Sequence, residues 1–238
     1  MNSALNNRYS RQISLPEIGV EGQARLAAAR VLLVGVGGLG SPIATYLAAA
    51  GVGTLGLCDA DVVSESNLQR QVLYTEAEIG LPKTECAARR LTAINSTINV
   101  VCHPCRLTAD NASDIISQYD YVVDGCDNFA TRYIIDDTCR RLGTTYVYGA
   151  ITDFEGQVAV FDYHHGIGYS TLYPDREYYA NCRRSTPAPV IGTTPAIVGA
   201  IEANQLIQLI CHYGSPAIDT LICINLLNME VNKLIIDN

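Results

Sequence analysis

Apolar residues fall along this chain in short unbroken runs. Val31–Val34, Thr54–Cys58, Ile98–Cys102, Tyr121–Asp124 and Thr145–Ala150 are the clearest. Runs of that length, bounded by polar or glycine-rich segments, predict strands buried on both faces, as in a parallel sheet. Between them lie longer segments with helical character. These cover Val20–Ala29, the Ala-rich stretch to Ala50, Pro82 to about Asn95, Asp110–Gln118, Asn128–Leu142 and Gly192–Cys211. Pro82 suits the first turn of its helix, and Thr193 or Thr194 is the expected cap before Pro195. Later the pattern changes. Gly156–Phe161 alternates and predicts an antiparallel strand, and Ala217–Asn225 with Glu230–Ile236 predicts a closing hairpin. Residues 162–189 follow no period and predict a long mobile or functional loop.

The first strand ends in Gly35-Val36-Gly37-Gly38-Leu39-Gly40, and a helix follows at once. Glycines here let a phosphate approach the backbone, and the helix N-terminus offers it free N–H groups and a positive dipole. Asp59 stands 19 residues after Gly40, where an acid can bond ribose hydroxyls. The expected fold is therefore α/β: a Rossmann-like, mostly parallel sheet continued by antiparallel strands. One domain over 1–238 is expected, with a helical start (1–30), a nucleotide-binding part (31–150) and an antiparallel part (151–238).

Composition narrows the class. The 238 residues carry a net charge of −8, which argues against a nucleic-acid surface. No run reaches the roughly 20 apolar residues of a membrane span, and the first residues lack a signal-peptide core. Nine cysteines, odd in number and scattered through apolar segments, suggest reduced thiols and a cytoplasmic protein. Cys102-His103-Pro104-Cys105 is a lone pair, too little for a zinc site. His164 and His165 receive no assignment.

The charged residues near the glycine turn carry the chemistry. Asp61, Asn67 and Arg70 follow the second strand and can reach a bound nucleotide. Lys83 opens a helix, where the dipole disfavours a cation, so it should face an anion. Asp127 follows the fourth strand. It is a candidate Mg²⁺ ligand or the cap of the next helix, and both fit. Arg8 and Arg11 read from the residues alone as a solvated helix face. Cys182 lies beside Arg183 and Arg184, which favours thiolate; a spectator role fits equally well. With Arg11, Arg70 and Lys83 as cations, an Mg²⁺ ligand and a ribose ligand, the set suits ATP better than a dinucleotide. No nucleophile–base set is evident. A carboxylate substrate needs none, because its pKa of about 3.5 leaves it ionised. It can attack the α-phosphate directly, giving an acyl-adenylate and pyrophosphate.

RYSRQ at 8–12, GVGGLGSP at 35–42, AGVGTLGLCDAD at 50–61, SNLQRQ at 66–71, GLPK at 80–83, DGCDNFATR at 124–132 and NCRRSTPAPVIG at 181–192 together resemble the ThiF/MoeB/HesA family. These are bacterial relatives of ubiquitin-activating enzymes. The resemblance implies a sulfur-carrier adenylyltransferase that activates the C-terminal Gly-Gly of a ThiS- or MoaD-type carrier, in thiamine or molybdopterin synthesis, for thiocarboxylate formation. It implies Arg70 and Lys83 on the triphosphate, Asp127 on Mg²⁺, Asp59 on ribose and Asn67 nearby. It implies a homodimer in which Arg11 enters the partner's site. It implies Cys182 in sulfur transfer, with a cysteine desulfurase or rhodanese-like sulfur donor. Most such proteins hold zinc between two CxxC pairs. Tyr169 and Leu172 stand where the first pair would be, so no structural zinc is expected, and Tyr169, Leu172 and Tyr173 are expected to anchor the loop base. The departure also admits an alternative, adenylation of a peptide or other carboxylate in a specialised-metabolite pathway.

Overall fold

A computed structural model of the chain describes residues 7–181 and 189–237. Eight strands form one sheet: β1 (Arg30–Val34), β2 (Thr54–Cys58), β3 (Asn99–His103), β4 (Tyr121–Asp124), β5 (Thr145–Thr152), β6 (Glu155–Phe161), β7 (Thr220–Asn225) and β8 (Glu230–Ile235). Their spatial order is β3-β2-β1-β4-β5-β6-β7-β8. The first five run parallel, and β6, β7 and β8 extend the sheet antiparallel. The chain steps outward from β1 to β3, then returns to place β4 on the other side of β1. The crevice between β1 and β4 is thus the switch point, where ligands of such sheets bind.

Helices cover both faces, which is why the first strands read as continuous apolar runs. On one face, Val31, Leu33, Leu55, Leu57 and Val147 pack beneath α2 (Gly19–Ala28), α3 (Gly40–Ala50), α4 (Lys83–Ile94) and the long α9 (Thr193–Cys211). On the other, Leu32, Val34, Tyr146, Tyr148 and Phe161 pack beneath α5 (Ala112–Ile116) and α6 (Phe129–Leu142). A four-residue helix, α1 (Ser10–Ile13), precedes them. The helix α3 stops at Gly51, whose φ of 87° lies in the left-handed region.

Two expectations are corrected here. The position before α9 is Gly192, and no side chain caps it; Thr194 instead donates its hydroxyl to the Asp153 carbonyl at 3.1 Å. A Cβ at Gly192 would stand 2.5 Å from the Gln69 carbonyl oxygen, so this entry to α9 is moulded on the 66–71 turn. The segment after β6 is also more regular than an irregular loop. It contains α7 (Tyr169–Leu172) and α8 (Arg176–Asn181). Tyr169 is fully buried and stacks against Tyr133, Tyr148 and Tyr173. The buried Asp136 carboxylate accepts the Tyr169 and Ser170 backbone N–H groups and the Tyr163 and Ser170 hydroxyls, at 2.7–3.1 Å. An aromatic cluster held by one carboxylate has no sequence period, which is why the pattern missed it. Tyr169, Leu172 and Tyr173, the three residues expected to anchor the loop base, all pack in this cluster.

Candidate functional site

The glycine turn is built by interlocked backbones. Gly35 has a φ of +88°, and a Cβ there would stand 2.6 Å from the Gly125 carbonyl oxygen. A Cβ on Gly125 or Gly40 would stand 2.2 Å from the Gly35 carbonyl oxygen. Only glycine at these positions lets the exit of β4 close on the exit of β1. The segment 125–128 is thereby seated on the turn. Leu39, before α3, has no side-chain cap bond, which leaves the helix N-terminus open to an anion.

Asp59 braces the turn. Its Oδ2 accepts the Val36 N–H at 2.8 Å, and its Oδ1 accepts the Asp61 N–H at 2.8 Å. Each oxygen retains a lone pair for a further donor. Tyr74 donates its hydroxyl to the Val36 carbonyl at 2.7 Å from a buried position. Asp61 in turn meets Lys83: Nζ lies 3.1 Å from Oδ2. The lysine is 5% exposed, so the anion it faces within the chain is Asp61, whose side chain is 62% exposed.

The segment 66–71 lies across the turn. A short 3₁₀ helix, Glu65–Asn67, leads into it, and the Asn67 carbonyl accepts the N–H groups of Arg70 and Gln71. Arg70 bonds the Ser66 carbonyl at 3.0 Å, and its Cδ is 3.6 Å from where a Gly38 Cβ would be. Gln71 is buried, and its Nε2 lies 3.5 Å from the corresponding point on Gly37.

Asp127 is exposed on the 125–128 segment. The helix α6 is capped by Asn128, whose Oδ1 accepts the Thr131 N–H at 2.9 Å. This corrects the alternative that Asp127 is the cap and leaves its carboxylate available to a cation. The segment is held from below by a buried pair that the sequence reading assigned no role. Arg132 Nε donates to Asp124 Oδ2 at 2.8 Å, and Arg132 Nη2 donates to the carbonyls of Cys126 (2.8 Å) and Gly149 (3.0 Å). Asp124 also accepts the Cys126 N–H and the Tyr146 hydroxyl, each at 2.8 Å. Burial works against the Arg132 charge, and Asp124 more than offsets it, so the guanidinium is held above its ordinary value. Acid-to-arginine spacing of eight residues across a strand exit was the available signal.

Arg11 does not join this group. Tyr9 is buried at the far end of α3 against Gly51, where it accepts the Asn95 amide at 2.7 Å. Gln12 bonds the Ala50 carbonyl there at 3.2 Å. Arg11 is exposed beside them. An 11-residue helix separates that end from the glycine turn, roughly 16 Å. Cys182 lies outside the described residues. Among those described, no group of three or more His, Cys, Asp or Glu side chains could hold a metal, and no helix is long and apolar enough to cross a membrane.

A ThiF family model matches residues 9–238. The chain belongs to the ThiF family. It is 43% identical over 235 residues to a sulfur carrier protein adenylyltransferase of Thermus thermophilus, covering 96% of this chain and 86% of that protein. It is 43% identical over 227 residues to a probable molybdopterin-synthase adenylyltransferase of Porphyra purpurea, covering 95% of this chain. The chain spans about six tenths of that protein's length (59%). The fold is also that of E. coli MccB. The structure of MccB with ATP matches with a TM-score of 0.83 and 25% identity, covering 98% of this chain and 72% of that one.

Proposed function

We propose that the chain adenylates the C-terminal glycine carboxylate of a small ubiquitin-like sulfur-carrier protein, consuming ATP and releasing pyrophosphate before thiocarboxylate formation. The observation that supports this most is the convergence of Arg70, the Lys83–Asp61 pair, Asp59 and the Asp127 segment on one glycine turn. The names of the relatives point the same way: adenylyltransferase, with a sulfur carrier as substrate in one case. MccB supports ATP as the nucleotide, having been seen with it.

In this reading the turn and the N-terminus of α3 receive the phosphates, and Asp59 bonds the ribose. Asn67 lies beside the nucleotide. Arg70 and Lys83 neutralise the triphosphate, with Asp61 keeping the ammonium group at the rim. Asp127 would hold Mg²⁺, which takes one or two carboxylates together with phosphate oxygens and water; the ion would supply charge neutralisation at the phosphates. The carrier carboxylate arrives ionised, so alignment and charge neutralisation are sufficient catalysis and no general base is needed. The chain works as a homodimer in which Arg11 completes the partner's site. Cys182 acts after adenylation, when a sulfur donor such as a cysteine desulfurase or rhodanese-like protein contributes.

ATP–pyrophosphate exchange with a panel of purified carriers ending in Gly-Gly tests the reading. Exchange that depends on one carrier is the expected result. Exchange with short peptides and no carrier would replace the carrier with a peptide substrate, and exchange with neither would remove the activity.

A further inference from the structure

A second carboxyl group lies under the site without any partner. Glu202, on the third turn of α9, has 0% of its surface exposed. Among the described residues neither of its carboxyl oxygens finds a hydrogen-bond partner. The carboxyl fills the notch left by Gly149 on β5: a Cβ built there would stand 2.1 Å from Glu202 Cδ. From the opposite face of the sheet, Arg132 donates to the Gly149 carbonyl at 3.0 Å. One peptide of β5 therefore separates Glu202 from the guanidinium that holds Asp124 and the 125–128 segment.

We propose that Glu202 is a positioning residue. Seated as a neutral acid in the Gly149 notch, it sets no rival carboxylate against the Arg132–Asp124 pair and so fixes the segment that presents Asp127. The proposal rests on the reading of that segment as part of the nucleotide site. An ionised Glu202 would set a second carboxylate against the same guanidinium. Arg132 would then be drawn from Asp124 and from the Cys126 carbonyl, and the loop above would lose its tether. Burial first, and the Asp124 charge second, push the Glu202 carboxyl well above the usual carboxylate range, while Arg132 pulls the other way. Among the described residues these two, from β4 and α6, are the charged groups that act on it; of the elements packed on α9, α2 commits Arg25 to the Cys211 carbonyl at the far end of α9, at 2.6 Å, and β6 has Glu155 bonded by Asn225.

The sign follows from linkage. A carboxyl whose folded pKa is raised is most favourable below its unfolded value, and its contribution is lost as pH rises toward the folded value. The test compares the wild type with Glu202→Gln, which keeps the shape without the ionisation, and with Glu202→Met. Thermal midpoints are read on ligand-free protein from about pH 6 to about pH 8.5. Relative to Glu202→Gln, the wild type should lose roughly 3–5 °C per pH unit. Amide exchange within 125–128 should quicken with pH, after correction for its intrinsic rate, in the wild type alone. Where pyrophosphate exchange is present, its alkaline decline should move upward in Glu202→Gln. Parallel midpoints and parallel amide exchange in wild type and Glu202→Gln would overturn the proposal, as would a wild-type slope surviving in Glu202→Met. Absence of pyrophosphate exchange in every protein would overturn the proposed function instead, and the two ligand-free measurements would still decide the role of Glu202.

Discussion

Asp127 and Asn128 are neighbours whose types suit the same two tasks, and the structure separates them. Asn128 caps α6 through its bond to the Thr131 N–H, so Asn128→Ala should cost about 1 kcal/mol and lower the thermal midpoint by roughly 2–4 °C. Asp127→Ala should leave the midpoint unchanged and reduce pyrophosphate exchange by on the order of 10²-fold or more. A calorimetric scan beside an exchange assay distinguishes the two. A midpoint that falls with Asp127→Ala and stays with Asn128→Ala would reverse the assignment. Sequence alone left this open because Asp and Asn are equally good caps, and only the frame of α6 decides between them. Lys83 was clearer. A buried cation opening a helix needs an anion whatever the fold, and the pattern pointed to one; it could not say that Asp61 would supply it within the chain. Asp124, Arg132 and Glu202 were hidden for a related reason. Their roles depend on which peptides they meet across the sheet.

At the level of elements, the buried strands were plain in the sequence because helices cover both faces and polar positions drop out. The bounds of β2 and β4 match their apolar runs. What no run could disclose is how β1 and β4 are locked at their exits. Gly125→Ala would set a methyl group 2.2 Å from the Gly35 carbonyl oxygen, a backbone atom that cannot swing aside. That substitution should destabilise the fold by about 1–3 kcal/mol and weaken ATP binding in calorimetry at least ~10-fold, about 1.4 kcal/mol. Unchanged affinity would show that the interlock is structural only. The arm formed by α7 and α8 was the least evident element. Its order comes from the Tyr133 and Asp136 side chains of α6, distant in sequence, and from the stack around Tyr169. Asp136→Ala strands two backbone N–H groups and two hydroxyls, and about 2–4 kcal/mol should be lost. Limited proteolysis should then cut within residues 163–181 well before the sheet opens. Cleavage no faster than in the wild type would mean that the tyrosine stack holds the arm unaided.

For the molecule as a whole, assembly turns on Arg11. Within one chain it stands at the opposite end of α3 from the glycine turn, beside Tyr9 and Gln12, which are bound at Gly51, Asn95 and Ala50. The separation of roughly 16 Å exceeds the reach of an arginine, and the local anchoring prevents α1 from swinging across. The proposed role of Arg11 therefore requires a second copy, through an isologous contact in which each chain lends its arginine to the other. Complementation measures this directly. Arg11→Ala and Arg70→Ala chains should each be nearly inactive alone. Mixed in equal amounts and allowed to exchange, half of the dimers are mixed, and each mixed dimer has one site with both arginines. About a quarter of the wild-type exchange rate should return. Sites built within single chains would regain nothing on mixing, and an Arg11→Ala chain with full activity alone would return the residue to a solvated helix face.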